Sequence, residues 1–537
     1  MIPKVPQQVI DRMQDLPDRL SDLVWRWERR TPQAPALIDG DTRWTYADLA
    51  EAVRAAIALL RELGVRPGDR LMLVNENGRA IIALPLASAA IDAWSIIVNA
   101  RLSSTEIDAI AAHSGARRAL FTSGASTDAA MHAERLGAET VEHPLLGRVG
   151  IGALNVETQP EPVFTPGAEQ VAVLVYTSGT TGEPKGVMLT HRNLLFIAAI
   201  SGGMRGFQTD DLIYGVLPLS HVFGLASVFL GGLYAGSCFM PRARFNAEQT
   251  LADIAAGVTA LQGVPAMYAK LLAHIRHMGA RIDGHRLRFT SAGGAPLDPA
   301  IKRNCEELFG QPLHNGYGMT EASPSMAMTR VDFPRRDCSV GQALPFVELI
   351  VVDPDGKPLP RGEIGDVWCR GPGVMKGYYR APDLTKAAIN AEGWLMTGDV
   401  GRFDEDASLH IVGRSKELII RSGFNVFPPE VEGVLSAHPQ VVQAAVIGAP
   451  GADGNEEVVA YLQVMPGDRP SLDELAAFCA GRLAPYKRPT RFVLCEALPA
   501  TPTGKILKHR LAALARPLPT VEELDPLALN LSRHARS

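Results

Sequence analysis

Across roughly the first four hundred residues one rhythm recurs: a short apolar run, a turn rich in Gly, Pro or Asp, then a longer stretch with helical spacing. Such alternation restricts a chain to α/β architectures, in which strands are joined through helices that cross over the sheet. The first complete unit shows the pattern. Thr45 and Asp48 form a capping-box pair, the apolar positions Leu49, Val53, Ile57 and Leu60 hold one face, and Gly64 closes the helix ahead of VRPGD. The strand LMLV follows at once, and similar units around RRALFTSG, VAVLVY and TALQGV predict several crossovers of a doubly wound sheet.

Composition narrows the function classes. At 537 residues, 46% hydrophobic and 21% charged, the chain has the make-up of an ordinary globular protein with large cores. Its net charge of -5 provides no basic field for a phosphate backbone, so nucleic acid is not an expected partner. The six cysteines, Cys238, Cys305, Cys338, Cys369, Cys479 and Cys495, show neither CxxC nor zinc-like spacing and read as thiols in a reducing compartment. The N-terminal stretch MIPKVPQQVIDRMQDLPDRL carries acids and prolines and lacks a continuous apolar segment, which points to a cytoplasmic location.

Residues 212 to 241 contain no Asp, Glu, Lys or Arg, a run long enough to span about 30 Å of hydrocarbon. Pro218, His221 and the glycines Gly224, Gly231, Gly232 and Gly236 interrupt it. A buried strand, a turn and a small-residue helix are therefore predicted, with no transmembrane span and at most peripheral contact with a membrane.

From about residue 335 to 412 the texture shifts to short alternating runs, VELIVVD, DVWCR and LHIVG, separated by DPDG, RG and DED turns. That pattern predicts a β-rich subdomain. Beyond GRSKE the order becomes strand, helix, two strands, helix, strand and a basic final helix, enough for a compact α+β domain. The tail after Arg516 reads as a loosely packed extension.

Residues 176 to 186, YTSGTTGEPKG, place hydroxyls, glycines and a lysine directly after an apolar run. Small residues let backbone N–H groups and hydroxyls converge on phosphate oxygens, and Lys185 adds a point charge. Glycines at 179, 182 and 186 do not match GxxxxGK[ST], so this is a different phosphate cradle or, on composition alone, a surface hairpin.

The stretch YTSGTTGEPKGVMLTHRN resembles the signature of the acyl-adenylate-forming superfamily, and the resemblance continues in order along nearly the whole chain. PLSHVFG (218–224), SAGGAPL (291–297), GYGMTE (316–321), GWLMTGD (393–399), GRSKELIIRSGFNVFPPEVE (413–432) and PTGKI (502–506) complete the set. The resemblance implies a large N-terminal adenylation domain over 1–413, with doubly wound sheets and a β-rich subdomain, and a small mobile α+β C-terminal domain over 414–537. It also implies ATP, Mg²⁺ and CoA. Thr177, Ser178, Gly179, Thr180, Thr181, Gly182 and Lys185 would cradle the β- and γ-phosphates. Gly293, Gly294 and Ala295 would wall the adenine and acyl group, with Gly316, Tyr317 and Gly318 against the nucleotide. Thr320 would contact the α-phosphate, and Glu321 would hold the metal. Asp399, paired with Arg414, would take the ribose hydroxyls, and His221 would orient the carboxylate. Lys505 would reach the charge developing between carboxylate and α-phosphate, Lys416 would be the hinge, and Gly423 would let pantetheine pass.

For the substrate, GYGMTEASP and the CSVGQALP segment look closest to fatty-acyl and related CoA synthetases, with Phe223, Leu225, Val228 and Phe229 as candidate lining or, equally, as core packing. A medium or long fatty acid is the first expectation. The alternatives are an aryl or short branched acid, or a free-standing enzyme loading a carrier protein. Phe424 and Phe427 add bulk near the expected thiol route. Retention of Lys505, Glu321 and Asp399 argues against a non-catalytic nucleotide sensor, and no GxSxG elbow or HExxH motif supports a hydrolase.

Overall fold

A computed structural model describes residues 4–178, 184–279, 282, 284–451, 455–464, 469–501 and 506–514. Helix Tyr46–Glu62 opens with the expected capping box, Thr45 and Asp48 each satisfying the other's backbone N–H. Leu49, Val53 and Leu60 are buried on one face while Ile57 is only partly covered.

Two large sheets organise the first part of the chain. In the eight-stranded sheet the central strands Val171–Ser178, Trp94–Asn99, Arg70–Asn75 and Arg118–Phe121 run parallel in that spatial order, with antiparallel strands at both margins. The nine-stranded sheet holds a parallel run from Leu313–Gly318 through Phe289–Ala292, Ala260–Gly263 and Leu212–Gly215 to Cys238–Pro241. Helices Arg79–Ala90 and His191–Met204 are apolar on every side and buried along almost their whole length, as required of helices covered on all faces. They share one hydrophobic core with residues of both sheets.

One local expectation is revised. The VAVLVY strand does not lead into a crossover helix; strand Val171–Ser178 pairs antiparallel with Pro184–Thr190, so Thr177 stands opposite Lys185. The signature loop therefore joins the two arms of a hairpin, and only then does helix His191–Met204 begin.

The uncharged stretch resolves into strand Leu212–Gly215, a wide π-helical segment Phe223–Leu230 that continues as helix Gly231–Ala235, and strand Cys238–Pro241. Among the described residues no helix is long and apolar enough to cross a membrane. All six cysteines are free.

The β-rich region is a four-stranded antiparallel sheet of Glu348–Val352, Gly365–Arg370, Leu395–Phe403 and Leu409–Arg414. After Arg414 the chain makes the 3₁₀ turn Ser415–Glu417 and a short hairpin, Ile419–Arg421 with Phe424–Val426. A three-stranded sheet then follows, of Val441–Pro450, Glu456–Val464 and Arg491–Cys495. Helices Pro428–Ser436 and Leu472–Ala480 pack on it through Val431, Leu435, Leu475 and Cys479.

Candidate active site

The strands of the nine-stranded sheet end in a common crevice, the place where open parallel sheets bind ligands. A cavity of about 40 Å³ lies there, lined by Pro218, His221, Phe223, Val264, Gly294 and Ala295 among others. Its wall is built by the loop between Gly215 and Phe223. Buried Asn77 fixes that loop from the other sheet, donating to the carbonyls of Gly215 and Leu217 and accepting from the N–H of Leu219, each at 2.9 Å. Gly224 is obligatory, since a Cβ there would lie 2.4 Å from the Pro218 carbonyl oxygen. His221 Nδ1 accepts from the Phe223 N–H at 3.2 Å, which assigns the proton of the neutral ring to Nε2.

Beside the cavity, strand Leu313–Gly318 runs into the 3₁₀ turn Thr320–Ala322. Gly318 admits no side chain: a Cβ would come within 1.9 Å of the Pro324 carbonyl oxygen. Thr320 is buried at the start of this turn. Glu321 is held twice, its carbonyl accepting from Met375 N–H and its carboxylate accepting from the Tyr378 hydroxyl, both at 2.8 Å. Burial, together with the Glu321 charge, pushes the Tyr378 phenol far up, so it stays a proton donor. On the same ring sits Lys185, its Nζ 5.8 Å from the centroid, a cation–π distance. Tyr378 thus gathers the signature lysine and the acidic residue of GYGMTE around one aromatic side chain.

Asp399 lies on strand Leu395–Phe403 directly across from Arg414, its register partner on the neighbouring strand. It is only 4% exposed. One carboxylate oxygen accepts from the Tyr317 hydroxyl at 2.6 Å and the other pairs with Arg414 Nε at 3.0 Å. Burial and the adjacent Asp399 charge hold the Tyr317 phenol well above its ordinary range.

Gly293 sits under the Phe223 ring, where a Cβ would meet a ring carbon at 3.1 Å, and Gly294 adopts φ +78° beside Val264. Gly316 and Tyr317 share the strand that leads to Glu321. Ser178 ends its hairpin arm; Gly179, Thr180, Thr181, Gly182 and Lys505 lie outside the described residues. Lys416 is exposed within the 3₁₀ turn, and Gly423 turns the following hairpin at φ +80° with open space around it.

Of the four apolar residues expected to line the acid site, only Phe223 faces the cavity. Leu225, Val228 and Phe229 belong to the core cluster instead, because the π-helical segment turns them toward the layer between the sheets. Phe424 stacks on Tyr486 with centroids 4.6 Å apart, and Phe427 packs against Gly413. Sequence reasoning missed Asn77 and Tyr378. The Gly/Tyr-rich string MKGYYR was the only available signal for Tyr378, and a lone Asn after a strand gives none.

The chain matches the sequence profile of the AMP-binding enzymes over residues 24–379 and that of the AMP-binding enzyme C-terminal domain over residues 430–505. A feruloyl-CoA synthase from Amycolatopsis sp is 35% identical over 486 residues, 90% of this chain and 96% of that protein. 4-Coumarate–CoA ligase 3 of Oryza sativa subsp. japonica is 34% identical over 501 residues, 89% of each. Among solved structures, the O-succinylbenzoate coenzyme A synthetase of Bacillus subtilis in complex with ATP and magnesium ion superposes with a TM-score of 0.77 at 29% identity, covering 91% of this chain and 98% of that one. The chain belongs to the AMP-binding enzyme family, in the acyl-CoA synthetase branch of the acyl-adenylate-forming superfamily. Its class is that of the AMP-forming acid–thiol ligases.

Proposed function

We propose that this enzyme activates a compact aromatic carboxylic acid with ATP and transfers the acyl group to CoA. The carboxylate oxygen attacks the α-phosphorus, pyrophosphate leaves and an acyl-AMP results; the thiol sulfur then attacks the acyl carbonyl and AMP departs. Joining two anions makes charge neutralisation the main task of the first step. Lys185 and the 177–182 loop serve the β- and γ-phosphates, Thr320 the α-phosphate, and Asp399 the ribose hydroxyls. His221, at the cavity wall, orients the acid.

Glu321 fits a hard divalent cation. Tyr378 occupies one of its oxygens, and the other makes no hydrogen bond among the described residues. Mg²⁺ bound there would supply charge neutralisation on the phosphates. Replacing Tyr378 with Phe removes the hydrogen bond that aims this carboxylate. The expected result is a rise in the Mg²⁺ concentration needed for half-maximal pyrophosphate release, with kcat/KM for ATP down about tenfold. An unchanged Mg²⁺ titration would remove Tyr378 from this role.

The observation that carries the choice of acid is the cavity itself, small and largely apolar, with Phe223 and Val264 in its wall. A cavity this small suits a compact acid, which favours the aryl alternative over the fatty-acid expectation. Relatives bearing the names feruloyl-CoA synthase and 4-coumarate–CoA ligase support the same choice. The test is an acid panel read by pyrophosphate release with and without CoA: aromatic acids should turn over best, and octanoate outperforming them would overturn the reading. Phe223→Ala should raise kcat/KM for octanoate about tenfold relative to benzoate-type acids. A domain boundary near 413/414, with Lys416 as pivot, would let the C-terminal part serve the two half-reactions in turn.

A further inference from the structure

Beneath the cavity the nine-stranded sheet carries a row of buried polar side chains, of which Gln262 and Ser291 lack hydrogen-bond partners while His314 Nδ1 meets Thr329 Oγ1 at 3.2 Å. Gln262, Ser291 and His314 are successive register partners on strands Ala260–Gly263, Phe289–Ala292 and Leu313–Gly318. Side chains alternate along a strand, so Gln262 shares its face with Val264, which lines the cavity, and Ser291 shares its face with Gly293, under Phe223. Two residues along a strand is roughly 7 Å, about the length of an aromatic ring with one substituent. That face is the interior one: Ala260 and Phe289, two residues further down, sit in the core between the sheets, and His314 stacks on Phe289 with centroids 5.2 Å apart.

In such a layer each polar group should be paired. Gln262 is 0% exposed, yet neither its oxygen nor its nitrogen has a partner, and the buried Ser291 hydroxyl has none either. Arg205, at the end of helix His191–Met204, points into the same layer. Its Nη1 donates to Ser201 Oγ and to the Ser227 carbonyl on the π-helical segment behind Phe223, but its buried Nε is unpartnered. Among the described residues no carboxylate pairs with it, and burial pulls the guanidinium down to about 9. Its charge also reaches His314, whose imidazole burial, with Lys302 and Arg205 adding, drives to about 4. Leaving such a group unpaired in an apolar layer is costly. The three unpartnered polar atoms of Gln262 and Ser291 on the face that leads to the cavity, with the unpartnered Arg205 Nε in the same interior layer, therefore point to a ligand group that completes them.

We propose that Gln262 and Ser291, with Arg205 behind them, form the specificity site for an oxygen substituent, hydroxyl or carboxylate, at the end of the aromatic acid remote from its reacting carboxylate. The inference rests on the aromatic-acid reading above and adds what the far end of that acid must carry. Gln262 Nε2, Ser291 Oγ and Arg205 Nε offer donors and Gln262 Oε1 one acceptor, a set that suits an oxygen able to accept several hydrogen bonds. Phe223, resting on Gly293, is the side chain such an acid passes.

The experiment measures kcat/KM by pyrophosphate release for cinnamate, 4-hydroxycinnamate and 4-carboxycinnamate, matched apart from the distal group. The native enzyme should favour one of the two oxygen-bearing acids over the plain acid by 100-fold or more, because rejecting the analogue that leaves buried groups unpaired is a strong discrimination. That ratio should drop at least tenfold in Gln262→Leu and in Ser291→Ala. Which oxygen acid wins separates a hydroxyl site from a carboxylate site. Melting temperature of the ligand-free protein gives an independent readout: Gln262→Leu removes unpaired groups from an apolar layer and should raise it, whereas a fall would mean that ordered water already satisfies Gln262 and would overturn the proposal. Should Gln262→Leu fail to fold, Gln262→Met carries the same test. Turnover of all three acids with equal efficiency defeats the substituent site alone; turnover of none, with an aliphatic acid active, defeats the aromatic-acid reading as well.

Discussion

Lys505→Ala should abolish formation of acyl-AMP while leaving thioester synthesis from supplied acyl-AMP largely intact. The two half-reactions have different charge demands. In the first, negative charge accumulates between the incoming carboxylate and the α-phosphate, and a cation delivered there stabilises the transition state. Removing one such preorganised group costs about 10²–10³-fold in rate. In the second step a neutral carbonyl is attacked and AMP departs already bound, so the same cation is not needed. Pyrophosphate release measures the first step, and stopped-time assays with synthetic acyl-AMP and CoA measure the second. Equal loss of both would place Lys505 in folding or general binding instead.

The other large effect is expected at Asp399. Its buried carboxylate is shared between the Tyr317 hydroxyl and Arg414 Nε, and replacing it with Ala strands both partners. If Asp399 also receives the ribose hydroxyls, kcat/KM for ATP should fall about 100-fold or more, equivalent to about 2.7 kcal/mol. Tyr317→Phe deletes one neighbour and keeps the acceptor, so its loss should stay near tenfold. KM for the acid should move little in either variant. An Asp399→Ala enzyme with native ATP kinetics would dismiss the assignment, whatever its melting temperature.

Much of this organisation was legible before any coordinates. Turn residues and hydrophobic period marked the alternating strands and helices, Thr45 and Asp48 marked a helix start, and short alternating runs marked the four-stranded sheet. The pairing of Asp399 with Arg414 was legible only through the resemblance, and the sheet register explains it. What escaped were contacts between distant parts of the chain. Tyr378 matters because it meets Glu321, and Asn77 because it meets the Gly215–Leu219 loop. Periodicity also cannot tell a pocket wall from a core wall, so both readings of Leu225, Val228 and Phe229 stay open in the sequence, and the structure packs them in the core.

Arg414 is the last residue of its strand, and the exposed 3₁₀ turn bearing Lys416 begins at the next position. The side chain that shares Asp399 is thus also the anchor of the connecting strap. If ribose hydroxyls take the Asp399 oxygens as proposed, they would compete with Arg414 for them and so bear on the anchor of everything that follows.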